Sequence, residues 1–165
     1  MNKHIESGLS GRLPAEFLDA LRKHLECERA LSLESSAAVC EPPAGLAGFV
    51  ASADPTFSQL LLRHIRESGL GEIDVYKRAH VDRKHFSKIR SSSSYQPTKV
   101  TVIAFALALQ LSTASTENLL KSAGYSLSKS TEFDLIIRYF LDRKSYDLFQ
   151  INEALFEFNQ PLLPV

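Results

Sequence analysis

The chain has 165 residues, of which 44% are hydrophobic, and its 19 Lys and Arg residues balance 19 Asp and Glu residues. This length suits one or two small globular domains with a buried core. No apolar run reaches the roughly 18 residues that a membrane span needs, and the first residues lack the apolar core of a signal peptide, so we expect a cytoplasmic protein without a membrane segment.

An amphipathic helix is predicted from Leu13 to Glu28. Apolar residues recur there at every fourth position, and Pro14 suits the first turn of a helix. The stretch that follows is rich in Ser, Ala, Gly and Pro, which is typical of a linker. We therefore assign residues 1–31 to an N-terminal helical segment and residues 32–55 to a linker.

Residues 56–125 show the periodicity of five helices. The predicted helices run from Thr56 to Ser68, Glu72 to Ala79, Asp82 to Arg90, Val100 to Leu111 and Thr116 to Ala123. Asp82 and Thr98 are suited to cap the third and fourth of these helices. The polar residues 91–97 between them are predicted to form a loop.

Residues 126–165 contain two further predicted helices, from about Thr131 to Leu141 and from Tyr146 to Phe158, both rich in Phe, Ile and Leu. Because they are too apolar for a loose tail, they either fold back on the preceding helices or form a dimer interface. No segment shows the sustained alternation of a strand, so the predicted fold class is all-α.

Positive charge is concentrated in one part of the chain. Residues 56–100 carry nine Lys and Arg against four Asp and Glu, a net charge of +5, whereas residues 1–55 carry −3 and residues 101–165 carry −2. This distribution is expected for a domain that binds the phosphate groups of a nucleic acid and is flanked by segments that do not.

The third predicted helix is the candidate nucleic-acid contact. Phe86 and Ile89 form its inner face. Its outer face then consists of hydrogen-bond donors, namely Arg83, Lys84, Ser87 and Lys88. An α-helix fits the major groove of duplex DNA, where side chains near its N-terminus read the base edges.

Residues 69–89, GLGEIDVYKRAHVDRKHFSKI, resemble the phage-repressor-like (Xre-type) helix-turn-helix family, whose usual pattern is roughly G-L-S-Q-E-E-L-A-E-K-A-G-V-S-R-S-T-I-S-R-I. The similarity continues through Gln96, Pro97 and Thr98, where N-P-S or N-P-T is common, and through residues 102–111. It implies a five-helix repressor-type domain at residues 56–125 that binds double-stranded DNA and regulates transcription, as a repressor.

The resemblance also implies roles for single residues. Arg83 and Lys84 stand at the first base-reading positions, Lys88 stands at another, and Ser87 reaches a base or a phosphate. The loop and the start of the next helix approach phosphates, and the residues there are Ser92, Tyr95 and Lys99. Because repressor-type domains bind two-fold sites as dimers, a homodimer is expected as well.

Three positions depart from the family pattern. His80 stands at the usual turn glycine, where a left-handed backbone is often needed, and His tolerates that backbone better than a β-branched residue does. Tyr76 replaces a small alanine where the second and third helices touch, which predicts a wider separation of the two. Glu72 and Asp74 make the start of the second helix acidic, where the family often has a phosphate-contacting glutamine.

Two other binding functions fit the same pattern. The fold could serve as a protein-binding adaptor through its basic face, the N-terminal helix or the C-terminal helices, or it could bind RNA. No enzymatic activity and no cofactor are predicted, because the sequence has no P-loop, GxGxxG, HExxH or GxSxG motif. Cys27 and Cys40 form no CxxC pair, and His24 with Cys27 is only half of a ligand set, so no metal ion is predicted.

Overall fold

The structure, a computed structural model, describes residue 16 and residues 18–23, 54–92 and 95–164. All regular structure in these residues is α-helical, which confirms the predicted fold class. After a helical segment at residues 18–23, the helices are α1 (Phe57–Ser68), α2 (Glu72–Arg78), α3 (Arg83–Ser91), α4 (Lys99–Ala108), α5 (Thr113–Ser122), α6 (Glu132–Asp142) and α7 (Leu148–Glu157). None of the described helices combines the length and the apolar character that crossing a lipid bilayer requires.

Five of the described helices begin at a residue whose side chain caps them, among them α1, α3 and α4. The Thr56 hydroxyl accepts the backbone N–H of Gln59, and the Gln59 side chain accepts the N–H of Thr56, so a capping box begins α1. The Asp82 carboxylate accepts the N–H of Lys84 at 2.8 Å and begins α3. Thr98 caps α4 in the same way. The predicted caps Asp82 and Thr98 are therefore confirmed.

The start of α5 differs from the prediction. Its first residue is Thr113 rather than Thr116, because the Ser112 hydroxyl accepts the N–H of Ser115 at 3.2 Å and adds a turn to the helix. Hydroxyl residues occur at several adjacent positions here, so the sequence offers more than one capping residue.

Several helices are followed, two residues after their last residue, by a non-glycine residue with a left-handed backbone. Among the described residues these are His80 (φ 50°), Gln110 (φ 53°), Lys144 (φ 54°) and Asn159 (φ 52°). The φ of Gln110 explains why α4 ends at Ala108 and not at the predicted Leu111. The positive φ of His80 confirms the left-handed backbone expected in the turn after α2.

His80→Val is expected to lower the free energy of unfolding by about 1–2 kcal/mol, because a β-branched side chain is poorly tolerated at positive φ. His80→Gly is the matched variant, since glycine adopts this backbone without strain, and it is expected to be at least as stable as the parent. Urea denaturation measures both variants. Equal stability of the Val and Gly variants would contradict the left-handed turn.

α4 is the central helix of the fold. All of its residues from Thr101 to Ala108 are buried, so other parts of the chain cover it on every side. α1 packs against α3 and α5, while α2 and α5 pack against α4. The rings of Phe57 and Phe86 lie 6.5 Å and 6.0 Å from the ring of Phe105, between centroids, and join α1 and α3 to α4.

The C-terminal helices α6 and α7 belong to the same core. α6 packs against both α5 and α7, and its fully buried side chains are Leu135, Ile136, Ile137 and Phe140. The Asn152 side chain accepts the backbone N–H of Leu163 at 2.8 Å and donates to the Leu163 carbonyl at 3.1 Å, which fastens the last described residues to α7. Of the two predicted arrangements, these contacts favour folding back on the core.

The helical segment at residues 18–23 contacts the end of α7. Leu21 is fully buried, and the Arg22 guanidinium lies 4.0 Å from the Glu157 carboxylate and 5.7 Å from the centroid of the Phe158 ring. These contacts favour an added layer on the core over a free docking arm. The rest of the helix predicted from Leu13 to Glu28, and the predicted linker up to residue 53, lie outside the described residues.

Candidate nucleic-acid interface

One face of α3 is held against the core. The backbone N–H of Val81 donates to the Tyr76 carbonyl at 2.9 Å and closes the turn after α2. Phe86 and Ile89 are buried as predicted, and the Phe86 ring lies 5.5 Å from the ring of Tyr76, between centroids. The large side chain of Tyr76 therefore fills the space between α2 and α3. α3 itself extends to Ser91, which the sequence had placed in the loop.

The other face of α3 is exposed and basic. Arg83, Lys84, Ser87 and Lys88, all four of the side chains predicted to face outward, are exposed, and so are Arg90 and Ser91 near the end of the helix. In the described parts of the chain, no carboxylate oxygen lies within 4.0 Å of a side-chain nitrogen of Arg83, Lys84 or Lys88. The adjacent Asp82 uses its carboxylate to cap the helix. This face therefore presents hydrogen-bond donors with little charge compensation.

Tyr95 connects the segment after α3 to the basic face. Its hydroxyl lies 2.8 Å from Nε2 of His85, and the ammonium of Lys88 lies 5.2 Å from the centroid of its ring. At an exposed site, attraction between a cation and an aromatic face is worth about 0.5–1 kcal/mol. Tyr95 thus orients Lys88 and His85, a role that the sequence did not indicate.

Ser92 lies where the chain leaves α3. Its backbone carbonyl accepts the Ser58 hydroxyl at 3.2 Å and the N–H of Tyr95 at 3.2 Å. The Ser58 hydroxyl also donates to the carbonyl of Ile89 at 2.7 Å. α1 therefore fixes the C-terminal end of α3. Residues 93 and 94 of the predicted loop lie outside the described residues.

Lys99 has an acidic partner in the structure. Its ammonium lies 2.6 Å from Oδ1 and 2.7 Å from Oδ2 of Asp134, a side chain that is 1% exposed. Asp134 also accepts the N–H of Ser128 and the hydroxyl of Thr131, each at 2.8 Å. The phosphate contact predicted for Lys99 would have to compete with this ion pair. The geometry gives Lys99 a structural role, which is to join α4 to α6.

The acidic start of α2 is partly neutralised by α3. Nη1 of Arg90 lies 3.1 Å from Oε2 of Glu72. Ion pairs at this exposure contribute up to about 1 kcal/mol to the free energy of unfolding. This pair connects the end of α3 to the start of α2, and it partly neutralises the charge of Arg90, whose side chain is 58% exposed.

Sequence reasoning missed three residues that shape this site: His85, Ser58 and Asp134. Their partners are distant in sequence: Tyr95 lies 10 positions after His85, Ile89 lies 31 positions after Ser58, and Asp134 lies 35 positions after Lys99. No periodicity or capping signal identifies such pairs. The exposed face of α3 was predictable because helical periodicity alone defines it.

In the described part of the chain, no group of three or more His, Cys, Asp or Glu side chains could hold a metal ion.

No protein-family model matches the chain, and no curated protein or solved structure is detectably similar to it. A functional assignment must therefore be based on the residues of α3 and their surroundings.

Proposed function

We propose that this protein is a DNA-binding regulator of transcription, acting as a repressor, in which residues 56–125 form a helix-turn-helix domain and α3 enters the major groove of duplex DNA. The main evidence for the proposal is the composition of the exposed face of α3. Arg83, Lys84, Ser87 and Lys88 all present donors there, and no described carboxylate oxygen lies within 4.0 Å of a side-chain nitrogen of the three cations.

In this proposal the first turn of α3 reads the bases. Arg83 and Lys84 are its first two residues, and the N-terminal residues of a recognition helix reach the groove floor first. A guanidinium donates two parallel hydrogen bonds to O6 and N7 of guanine, and an ammonium donates to the same acceptors. Lys88 reads a base one turn further on, with its position restricted by Tyr95, and Ser87 reaches a base or a phosphate.

The surroundings of α3 favour duplex DNA over unpaired RNA. Recognition of unpaired bases relies on exposed aromatic rings on which the bases stack. Near the basic face the described aromatic side chains are His85 and Tyr95, both half-buried. They contact each other edge-on, with 82° between the ring planes. Neither ring offers an open platform for a base.

Arg83→Ala is expected to weaken binding to the preferred duplex by about 5- to 150-fold, which corresponds to roughly 1–3 kcal/mol, and to relax the preference at one base pair. The side chain is exposed, so the fold should be unaffected. Lys129→Ala is the matched control, because it removes one exposed charge from the segment between α5 and α6. It is expected to bind as the parent does. Fluorescence anisotropy with labelled duplexes measures these affinities.

Each possible result has a defined meaning. An equal loss on all duplexes for Arg83→Ala would show a phosphate contact instead of base reading. Identical affinities of Arg83→Ala, Lys129→Ala and the parent would exclude Arg83 from the interface. Absence of DNA binding by the parent at low salt would favour the adaptor function.

A further inference from the structure

A cavity of about 610 Å³ lies between α1, α5 and the segment that follows α3. Phe57 and Leu60 line it from α1, Tyr95 and Gln96 line it from the segment after α3, and the end of α5 completes the lining. No residue of α3 lines it, so the cavity is separate from the exposed basic face. Sites for small organic molecules have volumes of about 300–1,000 Å³, and the volume of this cavity falls within that range.

The apolar part of the lining is firmly held. Phe57 is 2% exposed and packs into the core, while Leu60 and Tyr95 are half-buried. The Gln96 side chain donates from Nε2 to the Ala123 carbonyl at 2.9 Å, which fastens the segment after α3 to the end of α5. A ligand in the cavity therefore meets an apolar surface that is already formed.

The polar part of the lining carries two opposite charges. The side chains of Lys121 and Asp54 are 78% and 84% exposed, and the Lys121 ammonium lies 3.9 Å from Oδ2 of Asp54. A direct hydrogen bond between such groups measures about 2.7–2.9 Å, so both groups retain hydrogen-bonding capacity for a third partner. The exposed amide of Asn118 lies on the same face of α5 as Lys121, and it offers both a donor and an acceptor.

Two opposite charges close together, beside an apolar surface, complement one class of small molecule. An α-amino acid carries an ammonium and a carboxylate on the same carbon, so each of these groups pairs with one charge of the cavity. A simple anion would be repelled by Asp54, and a simple cation would be repelled by Lys121.

We propose that this cavity binds a free α-amino acid with a large apolar side chain. The carboxylate of the ligand pairs with Lys121 and Asn118, and its ammonium pairs with Asp54. Its side chain packs against Leu60 and Tyr95. The lining then matches the ligand in charge at one end and in apolar surface at the other.

Tyr95 connects the cavity to the basic face of α3. Its hydroxyl lies 2.8 Å from Nε2 of His85, and the centroid of its ring lies 5.2 Å from the Lys88 ammonium. A ligand side chain that packs against this ring restricts the ring and, with it, Lys88. Because less motion is then lost when DNA binds, the amino acid is expected to increase the affinity for duplex DNA. This coupling rests on the proposed function, whereas the amino-acid site itself does not.

Isothermal titration calorimetry of the full chain without DNA tests the site, with L-phenylalanine as the probe. Saturable binding at one site per chain is expected. Three related compounds each lack one feature of the probe: phenylpropanoate lacks the ammonium, phenylethylamine lacks the carboxylate, and glycine lacks the apolar side chain. Each compound is expected to bind at least about tenfold more weakly than L-phenylalanine, because it leaves one part of the lining without a partner.

Variants that remove one charge identify which residue binds each end of the ligand. Asp54→Asn is expected to weaken L-phenylalanine binding about tenfold without weakening phenylpropanoate binding, since that compound has no ammonium. Lys121→Gln is expected to weaken L-phenylalanine binding about tenfold without weakening phenylethylamine binding. Both side chains are exposed, so the fold should be unaffected. Lys129→Gln is the matched control, because Lys129 is exposed and does not line the cavity.

Fluorescence anisotropy with the preferred duplex, with and without saturating L-phenylalanine, tests the coupling. The affinity of the parent for the duplex is expected to rise about fivefold when the amino acid is present. Lys121→Gln is expected to lose this rise at the same concentration of amino acid. An unchanged duplex affinity would overturn the coupling and leave the site standing. Absence of duplex binding would overturn the proposed function together with the coupling, whereas calorimetry would still decide the site.

The amino-acid site is overturned by any of three calorimetric results. One is the absence of saturable binding of L-phenylalanine up to about 10 mM. Another is equal affinity for L-phenylalanine and either phenylpropanoate or glycine, which would show that the ammonium or the side chain is not recognised. The last is L-phenylalanine binding that Asp54→Asn or Lys121→Gln leaves unchanged, which would place the ligand elsewhere.

Discussion

A chain that ends at Gly124 is expected to lose cooperative folding, even though it retains all five helices of the proposed DNA-binding domain. The reason is that α6 supplies part of the core. Full burial of a large apolar side chain contributes about 1.5–3 kcal/mol, so Leu135, Ile136, Ile137 and Phe140 together contribute roughly 6–12 kcal/mol. The whole stability of a domain is about 5–15 kcal/mol.

Thermal and urea denaturation of the shortened and full chains, followed by circular dichroism, measure this effect. The shortened chain is expected to show low helicity and no sigmoidal transition. A cooperative transition with a midpoint close to that of the full chain would show that residues up to 124 fold alone. In that case α6 and α7 would be an appended unit.

Asp134→Ala is expected to lower the free energy of unfolding by about 2–4 kcal/mol. Removing one partner of a buried ion pair costs about 3–5 kcal/mol, and the 27% exposure of the Lys99 side chain reduces this cost. The N–H of Ser128 and the hydroxyl of Thr131 lose their acceptor at the same time. The substitution therefore loosens both the start of α6 and its attachment to α4.

Asp142→Ala is the matched control for this prediction. Asp142 lies on the same helix, is exposed, and accepts one hydrogen bond, from the Thr113 hydroxyl at 2.6 Å. Its removal is expected to cost no more than about 1 kcal/mol. Urea denaturation compares the two variants. Equal effects of Asp134→Ala and Asp142→Ala would contradict a central role for the Lys99–Asp134 pair.

The sequence predicted those features of the fold that depend on neighbouring residues. The caps of α3 and α4 at Asp82 and Thr98 and the inward side chains of α3 all follow from local hydrogen bonding or helical periodicity. The start of α5 was placed at Thr116 instead of Thr113 because the strength of adjacent capping residues cannot be ranked from sequence. Helix ends are decided by such small differences.

Features that join distant parts of the chain were not predictable. The family resemblance implied a phosphate contact for Lys99, whereas in the structure Lys99 pairs with Asp134 of α6. Tyr95 was predicted to lie where the loop approaches phosphates, yet in the structure its side chain contacts His85 and Lys88. Such pairs depend on the packing of whole helices, which a single sequence does not encode at any one position.

The central claim is that α3 reads duplex DNA. The most direct test is to let the full chain select preferred sites from a random-sequence duplex library, at about 50 and 200 mM salt. The account predicts an enriched sequence. It also predicts a marked loss of affinity at the higher salt, because each phosphate contact releases counterions. Absence of binding at the lower salt, or binding without any enriched sequence, would contradict the claim.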